Sequence, residues 1–351
     1  MAHARYDGDR ALRPRRGRII IKIERAGQKA LLRRGRRAEG TAALCRDIAE
    51  DLFVFDATSS EPRTGDVDSL RARIKAMDRE PDTLVGVGGA TMDLSKAVAI
   101  CRDDEPAQHY QGYGLAMNKG ADIWVLPRST APRRNHAGRG AARAGEKLGI
   151  NNPYTESAVA VIDPQLSADA PHFNRFFTMM DCYFHHYEIM MSKTSAPEAI
   201  EDAKDGLALS REVLSHDLSG YSLDLAIKSA MASVLGGSST IGGRVGAAHA
   251  ISYGLSNSAP RLPHSVAVAI SMSVLEDVYP EGYGDTRRFL EINGLAMPKA
   301  ADYGIGEKDA AKMTKTALGM EKLWHSCFGD GWKDIATEEY IEKIYARIIG
   351  E

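Results

Sequence analysis

Short apolar runs alternate with helical patterns between Leu52 and Asp163. The runs with strand character are LFVFDA, TLVGVGG, ADIWVLP and SAVAVID, whereas SLRARIKAMD and MDLSKAVAIC repeat their apolar residues at helical spacing. Strands that alternate with helices are typical of a parallel sheet with crossover helices. The pattern therefore predicts an α/β domain over residues 1–163.

From Gln165 onward the apolar residues recur at helical spacing, and no strand pattern returns. The segments SHDLSGYS, YPEGYGD and GDGWKD interrupt the pattern, and their Gly, Pro, Ser and Asp residues are typical of turns. No internal repeat is visible. We therefore expect an all-helical C-terminal domain over residues 164–351.

Composition agrees with two domains, since the chain has 351 residues of which 44% are hydrophobic. A net charge of -2 argues against a nucleic-acid-binding protein. The four cysteines show no CxxC spacing, which favours a reduced, cytoplasmic protein. No apolar run approaches the roughly 20 residues of a membrane span, and the N-terminus has no apolar signal segment, so we expect no membrane partner.

The helical half contains an acid and an imidazole one turn apart, in the segment DCYFHHYE. Asp181 and His185 have the i, i+4 spacing that places two side chains on one helical face. The neighbouring Cys182 points to another side of the helix and is expected in the core. An Asp/His pair alone is more often a polar stripe than a metal site.

Two further histidines follow in GAAHAISYGLSNSAPRLPHSVAVAISM. His249 ends a helical run of small residues, and His264 follows a turn that opens an apolar helix over Val266 to Val278. Ends of helices joined by a compact loop can converge on one point. With Asp181 and His185 they form an Asp/His/His/His set, which suits a first-row metal such as Fe2+ or Zn2+ better than Mg2+ or Ca2+.

The α/β half contains a glycine-rich turn between a buried strand and a helix, in LVGVGGATMDLSKAVAI. Gly88, Gly89, Ala90 and Thr91 lie where backbone N–H groups at a helix N-terminus can approach a pyrophosphate. The same turn also serves plain strand-to-helix connections. In the next helix, Asp93 and Lys96 are interpreted most simply as a surface ion pair, and any functional role of theirs depends on context.

These motifs together resemble the iron-containing (group III) alcohol dehydrogenases. VGGATMDLSKAVA is similar to their GGGSxxDxAK loop, DCYFH to their Asp-x-x-x-His, and HAISYG with LPHSVAVAI to their paired metal histidines. The resemblance runs from about residue 59 to 349. It is closest to the 3-deoxy-manno-octulosonate 8-oxidase branch, through MDCYFHHYE, HAISYGLS, YPEG and KLGIN.

The resemblance implies a dehydroquinate synthase-like fold, with a parallel-sheet nucleotide domain and a helical metal domain. It assigns the metal to Asp181, His185, His249 and His264, and the cofactor pyrophosphate to the Gly88 to Thr91 turn. It implies oxidation of a primary alcohol by NAD or NADP, with a sugar acid such as 3-deoxy-manno-octulosonate as substrate. Hydride would leave the alkoxide of a metal-bound alcohol. It also implies a homodimer.

The family's second nucleotide loop is altered in this chain. Only Ser129 and Thr130 could serve there as hydroxyl donors, and the family's GTG turn is replaced by APR. The acid-ended strand expected upstream is replaced by RRGRIIIKIERAGQKALLRRGRRAEG, in which we place no strand. Residues 1–45 and 131–145 are therefore atypical for the domain.

Three interpretations of these arginine-rich stretches stay open. They form a solvated basic arm, as such runs commonly do; they contact an anion or nucleic acid through Arg33, Arg34, Arg36 and Arg37; or they are out-of-frame translation of a GC-rich gene. We favour the third, because Ala, Arg, Gly and Pro replace family sequence while the flanks stay in register.

Four functions compete at this point. An alcohol dehydrogenase is the first, and a metal-dependent lyase of the dehydroquinate synthase type is the second. Ser252 and Ser265 stand where the lyases have an acid and a glycine, which disfavours the lyase. The third is a metal-binding homologue that no longer binds nucleotide, and the fourth is a helical protein with adventitious metal. The sequence alone does not identify a group that transfers protons.

Overall fold

The structure is a computed structural model. It describes residues 18–23, 51–55, 63–88, 90–101, 104–113, 120–127, 139–143, 146–149, 154, 157–160, 162, 164–168, 170–220 and 222–350. The chain divides into two compact units. The first unit lies mainly before Ile162, and the second consists mainly of Ile162–Glu351.

The first unit is built on a five-stranded sheet in the order β2-β1-β3-β4-β7. The strands are β1 Arg18–Ile23, β2 Asp51–Phe55, β3 Thr83–Gly88, β4 Asp122–Pro127 and β7 Val159–Ala160. β1 pairs in parallel with β2 and β3, and β4 pairs in parallel with β7. Strands β5 Arg139–Arg143 and β6 Glu146–Gly149 form a separate two-stranded sheet. The predicted parallel sheet is therefore confirmed.

The strand β1 corrects the sequence analysis, which placed no strand in the arginine-rich segment. Its sequence is RIIIKI, and Ile20 pairs with Phe53 of β2 on one side and with Leu84 of β3 on the other. Three consecutive isoleucines favour an extended backbone. Strand β5 likewise lies within the atypical stretch 131–145, and β6 follows directly after it. Arg33, Arg34, Arg36 and Arg37 lie outside the described residues.

Two helices pack on this sheet, α1 Thr64–Lys75 and α2 Ala90–Ile100. Every residue of α2 from Thr91 to Ile100 is buried, as expected of a helix that is covered on all sides. Gly86 of β3 permits the close approach of α2, because a Cβ there would lie 2.9 Å from Met92 Cα. The apolar residues of β3, α1 and α2 share one core.

The part of the second unit that runs from Pro164 to Gly350 contains helices and turns but no strand among its described residues, as predicted. Its helices are α3 His172–Met191, α4 Pro197–Leu214, α5 Leu223–Gly242, α6 Ala247–Ser258, α7 His264–Met272, α8 Pro280–Ile292, α9 Ala310–Leu318, α10 Glu321–Phe328, α11 Trp332–Ile335 and α12 Glu338–Gly350. Helix α3 lies against α4, α5, α7 and α8. Aromatic residues along α3, including Phe176 and Tyr183, are fully buried in the common core.

Local sequence accounts for several helix ends. Proline occupies the first turn of α4 and α8, where the missing N–H has no intrahelical partner. The Ser222 side chain accepts a hydrogen bond from the Leu225 N–H and so caps α5. The Arg175 guanidinium of α3 donates to four backbone carbonyls, those of Ala168, Ala170, Leu218 and Gly220. Arg175 thereby ties the start of α3 to the segment before it and to the turn after α4.

One face of α5 is apolar and exposed. Large side chains project from it at intervals of three, four or seven residues, and they are Leu223, Ile227, Met231, Val234 and Ile241. We call these five residues the α5 stripe. Among the helices that the structure describes, none is long and apolar enough to cross a membrane.

Candidate metal centre

Helix α3 supplies two of the predicted ligands. Asp181 and His185 are both 4% exposed and lie one turn apart. The His185 Nδ1–H donates to the Asp181 backbone carbonyl at 2.8 Å. This hydrogen bond fixes the tautomer in which Nε2 carries the lone pair. The helix therefore presents a carboxylate and an imidazole nitrogen in the same buried place.

His249 is the third residue of α6, not the end of a helical run as predicted. Helix α5 ends at Gly242, and the non-helical segment 243–246 separates it from α6. Gly246 is needed at this break, because a Cβ there would lie 2.3 Å from the Tyr279 hydroxyl oxygen. The break brings His249 into the first turn of a new helix, where it faces α3.

His264 is the first residue of α7 and follows Pro263, which is the helix N-cap. The predicted apolar helix is confirmed, although it ends at Met272. His264 is 7% exposed. The rings of His249 and His264 have centroids 5.5 Å apart, and the half-buried Tyr253 ring lies 6.1 Å from that of His264. The turn between α6 and α7 thus returns the second histidine toward the first.

The four predicted ligands converge around one carboxylate oxygen. Ligand atoms of Asp181, His185 and His249 all lie within 4.8 Å of one another. The Asp181 Oδ1 atom is 3.6 Å from His249 Nε2 and 3.8 Å from His264 Nε2. The compact group contains three of the residues, and His264 adjoins it through Asp181. Such spacing suits groups that face a shared ion.

Two of these buried atoms make no hydrogen bond to any described residue, namely Asp181 Oδ1 and His249 Nε2. Buried polar atoms without partners are costly and uncommon. Both atoms face the centre of the cluster, and a divalent cation there would satisfy both at once. One carboxylate and imidazole nitrogens are a donor set that Fe2+ and Zn2+ accept. The residues therefore fit a first-row metal ion.

Burial and charge act in opposite directions on the pKa values of the cluster. Burial, aided by the neighbouring His249, lowers the pKa of His185 to about 4, so this imidazole is neutral at pH 7. Burial also disfavours the charged form of His249, but Glu188 and Asp181 outweigh it and raise its pKa to about 9. Burial would raise the pKa of Asp181, yet the surrounding imidazoles, led by His264, hold it below its ordinary value.

Glu188 is a member of the centre that the sequence analysis missed. Its carboxylate is buried, one oxygen accepts the His249 Nδ1–H, and the other accepts the Ala248 N–H at 2.8 Å. Glu188 lies three residues after His185 and seven after Asp181, which places it on the same side of α3. That spacing could have identified Glu188 as a member of the centre. Its hydrogen bond to His249, 61 residues away, could not be predicted from the sequence.

The residues next to the ligands point elsewhere. Cys182 is fully buried, which confirms the prediction that it belongs to the core. His186 is also fully buried, and its Nε2–H donates to the Ala232 carbonyl of α5 at 3.0 Å. Burial lowers the pKa of His186 to about 4. The adjacent residues His185 and His186 thus face different sides of α3, the first toward the Asp181 cluster and the second toward α5.

The predicted phosphate turn is described only in part. Gly88 ends β3 with φ of 129°, a conformation that favours glycine. Ala90 begins α2, and the buried Thr91 hydroxyl donates to the Val87 carbonyl at 2.7 Å. Gly89, Ser129 and Thr130 lie outside the described residues. The strand that ends at Gly88 and the helix that begins at Ala90 are therefore present, while contacts to a cofactor stay a prediction.

The prediction that Asp93 and Lys96 of α2 lie at the surface is wrong. Asp93 is 6% exposed and Lys96 is 2% exposed. The reason is that α2 is buried on every side, which its charged positions did not indicate. Charged side chains are rarely so buried unless they have partners.

Comparisons with solved structures show the fold. Sulfoacetaldehyde reductase from Bifidobacterium kashiwanohense, solved in complex with NAD+, matches with a TM-score of 0.79 and 20% identity over 95% of this chain and 91% of that chain. An iron-containing alcohol dehydrogenase from Thermotoga maritima matches with a TM-score of 0.76 and 19% identity over 95% and 92%. No protein-family model matches the sequence. The chain therefore has the fold of the iron-containing alcohol dehydrogenases.

Proposed function

We propose that this protein is a metal-dependent, NAD(P)-linked alcohol dehydrogenase. The observation that carries the proposal is the buried Asp181 cluster, in which two inward-facing polar atoms lack hydrogen bonds to described residues. The fold supports the same activity, because relatives with this fold include an alcohol dehydrogenase and a reductase with bound NAD+.

Asp181, His185, His249 and His264 would hold the metal, which the chemistry of the site allows to be Fe2+ or Zn2+. When bound, such a cation lowers the pKa of an alcohol beside it and so favours departure of hydride. The protein's own residues exclude water, since all four side chains are buried. Exclusion of water strengthens every charge interaction at the site.

The cofactor would be NAD or NADP, with its pyrophosphate at the turn after β3. Gly88, Gly89 and Ala90 would offer backbone N–H groups, and the start of α2 adds the positive end of its helix dipole. The φ of Gly88 supports this role, since it opens the turn at the strand end. Thr91 would contribute its N–H, because its hydroxyl already donates to the Val87 carbonyl. Ser129 and Thr130 would donate from the second loop.

The proposed substrate is a primary alcohol on a sugar acid such as 3-deoxy-manno-octulosonate. Its support is in the sequence, where MDCYFHHYE, HAISYGLS and YPEG resemble that branch. The same resemblance supports a homodimer. The scattered cysteines support a cytoplasmic enzyme.

Replacement of one ligand tests the proposal. His264→Ala should remove most of the metal from the purified protein and abolish NAD(P)-linked oxidation of the sugar acid, because a ligand is lost. The measurements are elemental analysis of the protein and the change in absorbance of the reduced cofactor. His216→Ala is the matched control, since His216 is exposed in the turn after α4. Full metal occupancy in His264→Ala would contradict the ligand set, and a metal-loaded wild type without turnover would contradict the activity.

A further inference from the structure

We infer that Glu188 is a positioning residue that fixes the metal-binding tautomer of His249 and docks the start of α6 on α3. The inference rests on the proposed metal site. It concerns a residue whose two carboxylate oxygens both accept hydrogen bonds from α6, so it is separate from the ligand set itself.

The carboxylate of Glu188 has two acceptor oxygens, and each has a different donor from α6. Oε2 accepts the His249 Nδ1–H, and Oε1 accepts the Ala248 N–H at 2.8 Å. The Glu188 side chain is completely buried. A buried carboxylate with both oxygens engaged is held in one orientation, so the ring that it contacts is also held.

The first consequence concerns the proton on His249. Because Nδ1–H donates to Glu188, Nε2 is the nitrogen left to bind a metal, which would displace any proton on it, and Nε2 faces Asp181 Oδ1 at 3.6 Å. A metal-binding imidazole commonly has such a carboxylate behind it, which fixes the ring and increases its basicity. Glu188 therefore presents the correct nitrogen to the cluster.

The second consequence concerns the start of α6. The N-cap residue is Gly246, which has no side chain to accept the free N–H groups of the first turn. The Tyr279 hydroxyl accepts the Ala247 N–H at 3.1 Å, and Glu188 accepts the next N–H. Residues from α3 and from the end of the α7–α8 connection thus replace the missing cap. The position of His249 depends on both.

Glu188→Gln tests the tautomer, because the amide has the same shape but replaces one acceptor oxygen with an NH2 donor. Its single oxygen can accept the Ala248 N–H, and its NH2 group then faces His249 Nδ1. The favourable arrangement places the imidazole proton on Nε2, where it blocks the metal. We expect the affinity for Zn2+ to fall by about 10- to 100-fold. Competition with a chromophoric chelator measures this change.

The absorption spectrum of the Co2+-loaded protein gives a second measurement that does not require turnover. We expect Glu188→Gln to change its visible bands, because His249 no longer binds in the same way. Thermal unfolding of the metal-free variant shows whether it folds. Glu291→Gln, an exposed glutamate of α8, is the control and should match the wild type in all three measurements.

The outcomes separate this inference from the proposed activity. Wild-type Zn2+ affinity and an unchanged Co2+ spectrum in a folded Glu188→Gln protein would overturn the inference and leave the ligand set standing. Tight metal binding by the wild type, reduced in Glu188→Gln, would support it even if no alcohol were oxidised. A wild type that takes up neither Zn2+ nor Co2+ would overturn both.

Discussion

Neighbouring histidines on α3 show how much a rotation of one residue matters. His185 and His186 are separated by about 100° around the helix. The first faces the metal cluster, and the second lies against Gly206 of α4 and bonds to the Ala232 carbonyl of α5. The four-residue spacing from Asp181 singled out His185 in the sequence. The contact of His186 with Gly206 could not be predicted, because it depends on how two helices cross.

Gly206→Ala should therefore destabilise the protein. A Cβ at this position would lie 2.0 Å from His186 Cε1, so the ring or the helix has to move. Overpacking of this kind costs about 1 to 3 kcal/mol in the free energy of unfolding. Denaturant titration followed by circular dichroism measures the loss.

Gly284→Ala is the matched control, since Gly284 is also helical but exposed, with no atom within 4 Å of an added Cβ. This change should increase stability by up to about 1 kcal/mol, because alanine favours the helix. Equal effects of the two substitutions would contradict the packing argument.

At the scale of elements, local sequence predicted the strands and helices that repeat their apolar residues regularly. It did not predict β1, because RIIIKI is surrounded by arginines and its extended form depends on pairing with β2 and β3. It also placed His249 at the end of a helical run, since the glycines between α5 and α6 continue a run of small residues. In both cases distant contacts decide the element, and those contacts are not local in sequence.

Arg175 gives a test at this scale. Its guanidinium donates to carbonyls of two chain segments, with NH1 on Leu218 and Gly220 and NH2 on Ala168 and Ala170. A lysine ammonium is a point charge and cannot span both pairs. Arg175→Lys should lower the free energy of unfolding by about 2 kcal/mol, since hydrogen bonds to charged groups are lost.

Chemical denaturation of Arg175→Lys beside Arg287→Lys measures this difference. Arg287 is exposed on α8 and its one described side-chain hydrogen bond is a 3.4 Å contact with the Tyr283 hydroxyl. Its replacement should be nearly neutral. A similar denaturation midpoint for both variants would mean that the planar guanidinium of Arg175 is not required to hold the four carbonyls.

At the scale of the molecule, the two-part pattern of the sequence was enough to predict the fold. Alternating runs predicted the parallel sheet and continuous helical spacing predicted the helical unit, and solved structures at about 20% identity have the same fold. The metal cluster was also predicted, because Asp181 and His185 share a helical face. The hydrogen bonds of Glu188 and the burial of α2 were not predicted, since both result from packing between elements.

The α5 stripe has a consequence for handling the protein. Met231 and Val234 are each more than half exposed, so they offer apolar surface to a hydrophobic chromatography resin. Ammonium sulfate strengthens apolar association. The purified protein should bind a phenyl column at high sulfate, and Met231→Glu with Val234→Glu should elute well before it. Ile335→Glu, which removes an exposed apolar side chain elsewhere, should elute only slightly early. Co-elution of the wild type, the double variant and the Ile335→Glu variant would show that the α5 stripe does not dominate binding to the column.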